Sequence, residues 1–264
     1  MKVQILSRKL IAPSSPTPEH LQTLQISYLD QLATSAYLPC VFCYLPSEEK
    51  PGLKNSEKSE LLQKSLSEAL TLFYPLAGRY IKDKRSVECN DKGAEYIEAQ
   101  VHSCLSLSQL LSSQDRSQLL CEWFHQLAPD TVESDTTPLL VVQFNTFECG
   151  GVAIGVCLAH RVADGLSAFT FIQAWAKISR VGLANVQFCP SFEVNSFFPA
   201  RDVVLTPPKS DGPGDDNHFT MKRLVFSAEA ISNLRAIITS TSLVNDSESL
   251  KYKPTRQEIV IAFI

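Results

Sequence analysis

Two apolar runs, residues 139–147 and 152–159, constrain the fold of this chain more than any other feature. Both have the apolar composition and the length of β-strands. The segment Cys149-Gly150-Gly151 between them is short, and adjacent glycines suit a tight hairpin in which a positive φ is needed. The pattern therefore predicts two neighbouring apolar strands joined by a hairpin.

Strands and helices also alternate through the rest of the first 181 residues. A period of 3.6 in the apolar residues begins at Ser56 and predicts a helix that ends before Pro75, because proline cannot donate a backbone hydrogen bond. A second helix is predicted from Leu166 to Ile178, and a less regular pattern predicts a helix over 103–127. The remaining predicted strands are 3–10, 25–29, 40–45, 78–82, 86–89 and 94–101.

Proline, glycine and aspartate dominate residues 182–219, and hydrophobic periodicity disappears there. This segment is predicted to be a linker that crosses between an N-terminal domain, residues 1–181, and the start of a second domain, residues 220–264. The second part is predicted to hold a strand at Lys222–Phe226 and a helix at Ala228–Ser240. Thr255 and Glu258 have the spacing of a capping box, but only six apolar residues follow, so we expect a fragment that stops within a helix.

Charge and composition exclude several classes of function. The 264 residues carry a formal net charge of −4, and their lysines and arginines are scattered, so a nucleic-acid partner is not expected. The N-terminus has no secretory signal core, and no apolar stretch approaches the roughly 20 residues that a membrane helix needs. Many of the eight cysteines lie within apolar runs, which favours free thiols and a cytoplasmic location without membrane partners.

His160 is the first candidate for chemistry, because it follows an apolar strand and precedes a helix. An imidazole titrates near neutral pH, so it can accept a proton in one step and return it in the next. The spacing His160-x-x-x-Asp164 alone is weak, since it arises by chance about 0.2 times in a chain like this. Asp164 also occupies the position of a helix N-cap, a purely structural role. Spacing therefore leaves catalysis and capping both open.

The surrounding sequence closely resembles the BAHD acyltransferases of plants, and within them the alkaloid acetyltransferases of the vinorine synthase type. The resemblance is carried by residues 147–156 leading into His160-Arg161-Val162-Ala163-Asp164-Gly165. Further matching segments run in the same order along the chain. They are residues 14–18, 73–79, 87–91, 222–226 and 254–256.

This resemblance implies a fold and a reaction. The family has two α/β domains related to chloramphenicol acetyltransferase, each a mixed sheet flanked by helices, with a solvent channel between them. His160 would be the general base that deprotonates an acceptor alcohol, which then attacks acyl-CoA. Asp164 would be structural and pair with an arginine of the second domain, and Gly165 would leave room beside the imidazole. Acyl-CoA, in particular acetyl-CoA, would be a co-substrate, with no permanently bound cofactor or metal, and the full-length parent would be a monomer.

The chain also departs from the family pattern. The Asp-Phe-Gly-Trp-Gly motif of the family's C-terminal part is absent, as is most of the second domain. Two functions from different classes are therefore expected. One is an acyltransferase sequence, acting on an alkaloid or another specialised metabolite, whose activity in this chain alone is weak or absent. The alternative is a non-catalytic fragment that associates with other proteins through exposed apolar surface.

Other motifs receive structural interpretations. Cys40 and Cys43 lie three positions apart in a predicted strand and so face opposite sides, which does not suit a shared metal. Gly165-Leu166-Ser167 lacks the second glycine of a nucleophile elbow. The segment Phe73–Arg79 is predicted to end a helix and begin a strand, and it is assigned a role in packing and chain reversal without a catalytic role.

Overall fold

The computed structural model describes residues 2–46, 53–113, 134–187, 189–202, 224–242 and 254–264. The chain divides into two compact units, residues 1–213 and residues 214–264. The first unit contains all the strands of the described residues, and the second contains two helices. The domain limits at residues 181 and 219 stay predictions.

The first unit is an α/β structure, as the sequence predicts. Its strands are β1 (Lys2–Ile11), β2 (Thr23–Gln25), β3 (Tyr37–Tyr44), β4 (Arg79–Ile81), β5 (Ser86–Glu88), β6 (Ala94–His102), β7 (Leu140–Phe147) and β8 (Val152–Ala159). Its α-helices are α1 (Tyr28–Leu32), α2 (Asn55–Leu72), α3 (Leu107–Ser112), α4 (Gly165–Val181) and α5 (Val194–Phe197). Short 3₁₀ turns are found at Glu19–Leu21, Tyr74–Ala77 and Leu183–Asn185.

The larger sheet has five strands in the order β1-β6-β7-β8-β3. Strands β6 and β7 are parallel, and the other neighbours are antiparallel, so the sheet is mixed as predicted. A second sheet has the order β2-β5-β4. Strand β8 lies between β7 and the edge strand β3, and His160 follows its C-terminal end.

Two helices cover one face of the larger sheet. Alternate residues of β7, such as Leu140 and Phe144, lie in the same core as α2 and α4. Val141 belongs instead to a core that includes residues of the smaller sheet. Strand β7 is therefore buried on both faces, which explains its continuous apolar sequence. The ring centroids of Phe73 and Phe171 lie 5.3 Å apart in an edge-to-face arrangement that joins the end of α2 to α4.

The predicted hairpin between β7 and β8 is confirmed. Its turn is closed by the N–H of Gly150, which donates to the carbonyl of Phe147 at 2.9 Å. Gly150 has a φ of 82°, a conformation that residues with a Cβ rarely adopt. At Gly151 a Cβ would lie 2.9 Å from a side-chain carbon of Leu107. Each glycine is thus required for a different reason.

The strand predicted over 25–29 is wrong after its first residue, Gln25. Strand β2 ends at Gln25, and α1 begins at Tyr28. The side chain of Ser27 accepts the N–H of Asp30, while the Asp30 carboxylate accepts the N–H of Ser27. This capping box starts α1, which has only five residues and is therefore too short to show a helical period in its apolar residues.

Two other predictions in the first unit concern segments that the structure describes only in part. The helix predicted over 103–127 is described only as α3, and residues 114–127 lie outside the described residues. The described part of the predicted linker contacts the first unit closely. The N–H of Leu183 donates to the Glu68 carboxylate at 3.1 Å, and the rings of Tyr74 and Phe192 meet at 5.0 Å. These contacts join residues far apart in sequence, so local composition cannot reveal them.

The second unit contains α6 (Ala228–Ser242) and α7 (Arg256–Phe263). The capping box predicted at Thr255 and Glu258 is present and begins α7. Residues 222 and 223 of the predicted strand lie outside the described residues. Residues 224–226 are not a strand, because they make no sheet pairing within the part of the chain that the structure describes. Among the described helices, none is long and apolar enough to cross a membrane.

Candidate active site

His160 lies immediately after strand β8. Its backbone N–H donates to the carbonyl of Ala36 at 2.9 Å, and the N–H of Ala159 donates to the carbonyl of Leu139 at the same distance. The imidazole is half-buried, and its Nδ1 atom is buried without a hydrogen-bond partner among the described residues. An unpaired buried nitrogen is uncommon in folded proteins.

Asp164 is the N-cap of α4. Its carboxylate accepts the N–H of Ser167 at 2.7 Å. The pKa of Asp164 lies below its ordinary value because the side chain and the backbone N–H of Ser167 hydrogen-bond to the carboxylate, with a smaller contribution from His160. The structural interpretation of Asp164 therefore has direct geometric support. Within the described ranges, this carboxylate has no ion pair with an arginine.

Gly165 is the first residue of α4. A Cβ at this position would meet no heavy atom within 4 Å, so the described residues place no packing limit on a methyl group there. An alanine at this position would not contact the imidazole of His160. Room beside the imidazole, the role that the resemblance implies for Gly165, stays a prediction, and it concerns side chains larger than alanine.

Arg161 holds the segment that follows β8 against α1. Its guanidinium donates to the carbonyl of Gln31 at 2.9 Å and to the hydroxyl of Ser35 at 2.8 Å. A weaker bond reaches the carbonyl of Asp30 at 3.4 Å. These carbonyls belong to the last turn of α1, where a cation also interacts favourably with the helix dipole. Arg161 thus fixes the position of the neighbouring His160 relative to α1.

His160 lines a cavity of about 590 Å³ within the first unit. This volume falls in the range of small-molecule binding sites. The polar groups on its wall include His160, Asp164, Ser167, Thr170 and Asn195. Its apolar wall includes Leu29, Leu32, Phe73, Leu76, Val162, Phe171, Phe192 and Val194. The cavity is therefore mostly apolar and has an imidazole among its few polar groups.

Comparison with known proteins agrees with this geometry. The profile of the Transferase family matches residues 1–264. Stemmadenine O-acetyltransferase of Catharanthus roseus is 38% identical over an alignment that covers 100% of this chain and 59% of that protein. The crystal structure of vinorine synthase superposes with a TM-score of 0.77 at 35% identity, covering 99% of this chain and 59% of that one. The chain belongs to the BAHD acyltransferase family.

The name of a further BAHD relative states its substrates. Acetyl-CoA-benzylalcohol acetyltransferase of Clarkia breweri is 36% identical across 100% of this chain and 58% of its own length. The chain thus spans about 59% of the length of the relatives that it matches. The similarity of its first unit to vinorine synthase accounts for the mixed sheet and flanking helices.

The sequence analysis did not predict three parts of the cavity wall. Helix α1 supplies Leu29 and Leu32, although the sequence pattern was interpreted there as a strand. The Ser27-x-x-Asp30 spacing was the available signal for this helix. The segment 190–195 supplies another wall, and nothing in its local sequence distinguishes it from a linker. The segment 73–76, interpreted as packing alone, also reaches the cavity through Phe73 and Leu76.

The remaining cysteines and histidines of this BAHD chain give no second chemical centre in the described residues. No group of three or more His, Cys, Asp or Glu side chains there could hold a metal ion. Cys40 and Cys43 pair with Val156 and Ala153 across β8, and burial raises the pKa of both thiols. They belong to opposite faces of the sheet, as expected from strand geometry.

Proposed function

We propose that this chain encodes acyl-CoA-dependent O-acyl transfer, with acetyl-CoA as donor and a hydroxyl of an alkaloid or another specialised metabolite as acceptor. The observation that carries the proposal is the half-buried imidazole of His160 on the wall of an apolar cavity of about 590 Å³. The names of the BAHD relatives support acetyl as the acyl group and small alcohols as acceptors.

His160 acts as the general base in this proposal. It removes the proton of the acceptor hydroxyl, and the oxygen attacks the thioester carbonyl of acetyl-CoA. The tetrahedral intermediate then expels the CoA thiolate, which takes the proton back from the imidazolium to give the ester and free CoA. An imidazole suits both steps because it gains and loses a proton near neutral pH. Holding both substrates together makes an acyl-enzyme unnecessary.

The neighbouring residues of the motif have supporting roles. Asp164 caps α4 and so sets the geometry of the segment 160–164, without touching substrate. Gly165 keeps large side chains away from the imidazole. Acyl-CoA enters and leaves as a co-substrate, and neither a resident cofactor nor a metal takes part. We also propose a cytoplasmic protein without nucleic-acid or membrane partners, whose full-length parent is a monomer.

The domain organisation is part of the same proposal. Residues 220–264 would begin a second domain like the first, reached through the crossover segment 182–219, and the chain would be a fragment of a longer enzyme. Much of the CoA site and the arginine that pairs with Asp164 would belong to that second domain. We therefore expect transfer by this chain alone to be very slow.

Transfer of radiolabelled acetyl groups tests the activity. The purified chain is incubated with acetyl-CoA and benzyl alcohol, the acceptor in the name of a relative, and labelled benzyl acetate is extracted and counted. Labelled ester that depends on enzyme concentration supports the proposal. Label that appears only as free acetate contradicts acyl transfer to an alcohol.

A second candidate function is a non-catalytic fragment that binds another protein. Exposed apolar side chains around the cavity favour it, among them Leu166 at 77% exposure and Leu32 at 53%. Apolar surface of this kind often marks an interface. Complete absence of labelled ester, together with concentration-dependent association in sedimentation velocity, favours this alternative.

A further inference from the structure

Gln31 joins two distant parts of the first unit through one side chain. It lies in α1 and is 8% exposed. Its Nε2 donates to the carbonyl of Arg201 at 3.2 Å, and its Oε1 accepts the N–H of the same residue at 3.0 Å. A side-chain amide that satisfies both backbone groups of one residue fixes that residue in position and orientation. Helix α1 therefore holds the segment 190–202, which we name the strap.

The backbone of Gln31 connects in the opposite direction, toward His160. Its carbonyl accepts the guanidinium of Arg161 at 2.9 Å, and Arg161 is the residue next to His160. The N–H of His160 itself donates to Ala36, four residues after the end of α1. A continuous series of hydrogen bonds thus runs from the segment of His160 through Gln31 to the strap.

The elements that Gln31 connects both line the cavity. Helix α1 contributes Leu29 and Leu32, and the strap contributes Phe192 and Val194. The distance between these walls depends on how the strap is attached to α1. Because the Gln31 amide is buried, an attachment made by it is costly to break.

The strap has further attachments, among them the contact of the Phe192 ring with Tyr74. The N–H of Tyr28 donates to the carbonyl of Phe198 at 2.9 Å, and the Arg201 guanidinium lies 4.7 Å from the centre of the Tyr28 ring. Arg85 donates to the Arg201 carbonyl and to Asp202, but the side chains of Arg85 and Asp202 are 40% and 100% exposed. Exposed ion pairs contribute little to stability. Among the polar attachments of the strap named here, that of Gln31 is made by a buried side chain.

We propose that Gln31 is a positioning residue that sets the width of the acceptor cavity and thereby the size of alcohol that fits. This proposal rests on the proposed function, because it takes the cavity beside His160 as the acceptor site. Gln31 does not touch the acceptor. It acts by holding Phe192 and Val194 at a fixed distance from Leu29 and Leu32.

The test compares Gln31→Met and Gln31→Glu with the matched variants Gln63→Met and Gln63→Glu on α2, where Gln63 also donates to a serine hydroxyl but lies outside the cavity wall. Hydrogen exchange of the amides of Arg201 and Tyr28 reports on the attachment of the strap. We expect protection of the Arg201 amide to fall about tenfold or more in Gln31→Met and to stay unchanged in both Gln63 variants. Unchanged protection in Gln31→Met overturns the proposal.

The Gln31→Glu variant adds a pH signature that a general loss of stability would not show. The ionised carboxylate cannot donate to the Arg201 carbonyl, whereas the neutral acid can. Protection of the Tyr28 amide, which donates to Phe198 of the strap and does not bond the substituted side chain, should therefore recover, after correction for intrinsic exchange, as the pH falls and the introduced carboxylate is protonated. Recovery supports a specific hydrogen-bonded anchor, and equal loss of protection at all pH values contradicts it.

Binding selectivity tests the consequence for the cavity without requiring catalysis. Dissociation constants for benzyl alcohol and 2-naphthalenemethanol are measured by ligand-observed NMR on each variant. We expect Gln31→Met to shift the ratio of the two constants toward the larger alcohol by about fivefold, while the Gln63 variants keep the wild-type ratio. If the variant still binds both alcohols and the ratio of their dissociation constants is unchanged, the positioning role of Gln31 is overturned while the proposed function stands. Failure of the wild-type chain to bind either alcohol contradicts the acceptor site of the proposed function instead.

Discussion

The environment of each motif residue defines what that residue can do. His160 has a buried Nδ1 without a hydrogen-bond partner in the described residues, whereas the carboxylate of Asp164 is engaged by Ser167. A spacing of four residues treats the two alike, but in the structure the Asp164 carboxylate caps α4, whereas the His160 imidazole lines the cavity without capping a helix. Arg161, which the spacing ignores, is bonded to α1 through several donors.

We expect the N-cap that Asp164 forms on α4 to stabilise the folded protein. Asp164→Ala removes the acceptor for the Ser167 N–H and should lower the free energy of unfolding by about 1 kcal/mol. Asp164→Asn keeps an oxygen that can accept the Ser167 N–H, so it should lower the free energy of unfolding by less. Urea denaturation measures both, with the exposed Asp83→Ala as the control. A loss in Asp164→Ala no larger than in the control would show that the cap does not stabilise α4.

The carboxylate of Glu98 joins β6 to β1 and α2. Glu98 of β6 accepts the hydroxyls of Ser59 on α2 and Ser7 on β1, both at 2.6 Å. These bonds, that from Ser59 first, hold the pKa of Glu98 below its ordinary value of 4.5. Its stabilisation is therefore complete above pH 4.5 and is lost as the pH falls through the lower pKa of the folded state.

Glu98→Gln should consequently flatten the fall in the free energy of unfolding below pH 4.5, because the amide does not titrate. Urea denaturation at several pH values between about 3 and 7 measures this slope. Glu88→Gln, an exposed position paired with Lys84, is the matched control and should keep the wild-type slope. Identical slopes in Glu98→Gln and wild type would contradict the assignment.

A buried arginine links three further segments. Arg79 is 2% exposed and donates to the carbonyls of Gly78, Gly93 and Thr136. Burial lowers the pKa of its guanidinium. Arg79→Met should lower the free energy of unfolding by about 3 kcal/mol, because three carbonyls lose their donor. The exposed Arg8→Met should change it by less than about 1 kcal/mol, and equal effects in urea denaturation would contradict this role.

The elements that the sequence predicts well are those with a long or continuous apolar pattern. Strands β7 and β8 and helices α2 and α4 agree with the predictions within a few residues, because burial on one or both faces determines their composition. Helix α1 has only five residues, too few for a period of 3.6 to appear, and only its capping box marks it. The strap was missed because its partners, such as Gln31, lie about 170 residues away in sequence.

At the scale of the whole molecule, the position of the candidate site was predictable and its walls were not. The sequence places His160 at the end of a strand and the family resemblance gives it a role, but neither shows which elements surround it. The cavity is assembled from α1, the end of α2, the start of α4 and the strap, which are separated along the chain. The BAHD relatives are longer, since this chain spans about 59% of their length.

Acetyl transfer by the purified chain and its histidine variants tests the central claim most directly. Labelled benzyl acetate is counted for wild type, His160→Ala and the control His102→Ala, whose imidazole bonds Glu148 and Gln4 on the surface. We predict slow ester formation in wild type and His102→Ala and a fall to the rate of the reaction without protein in His160→Ala. Ester formation by His160→Ala at the wild-type rate would contradict His160 as the base of an acyltransferase in this chain.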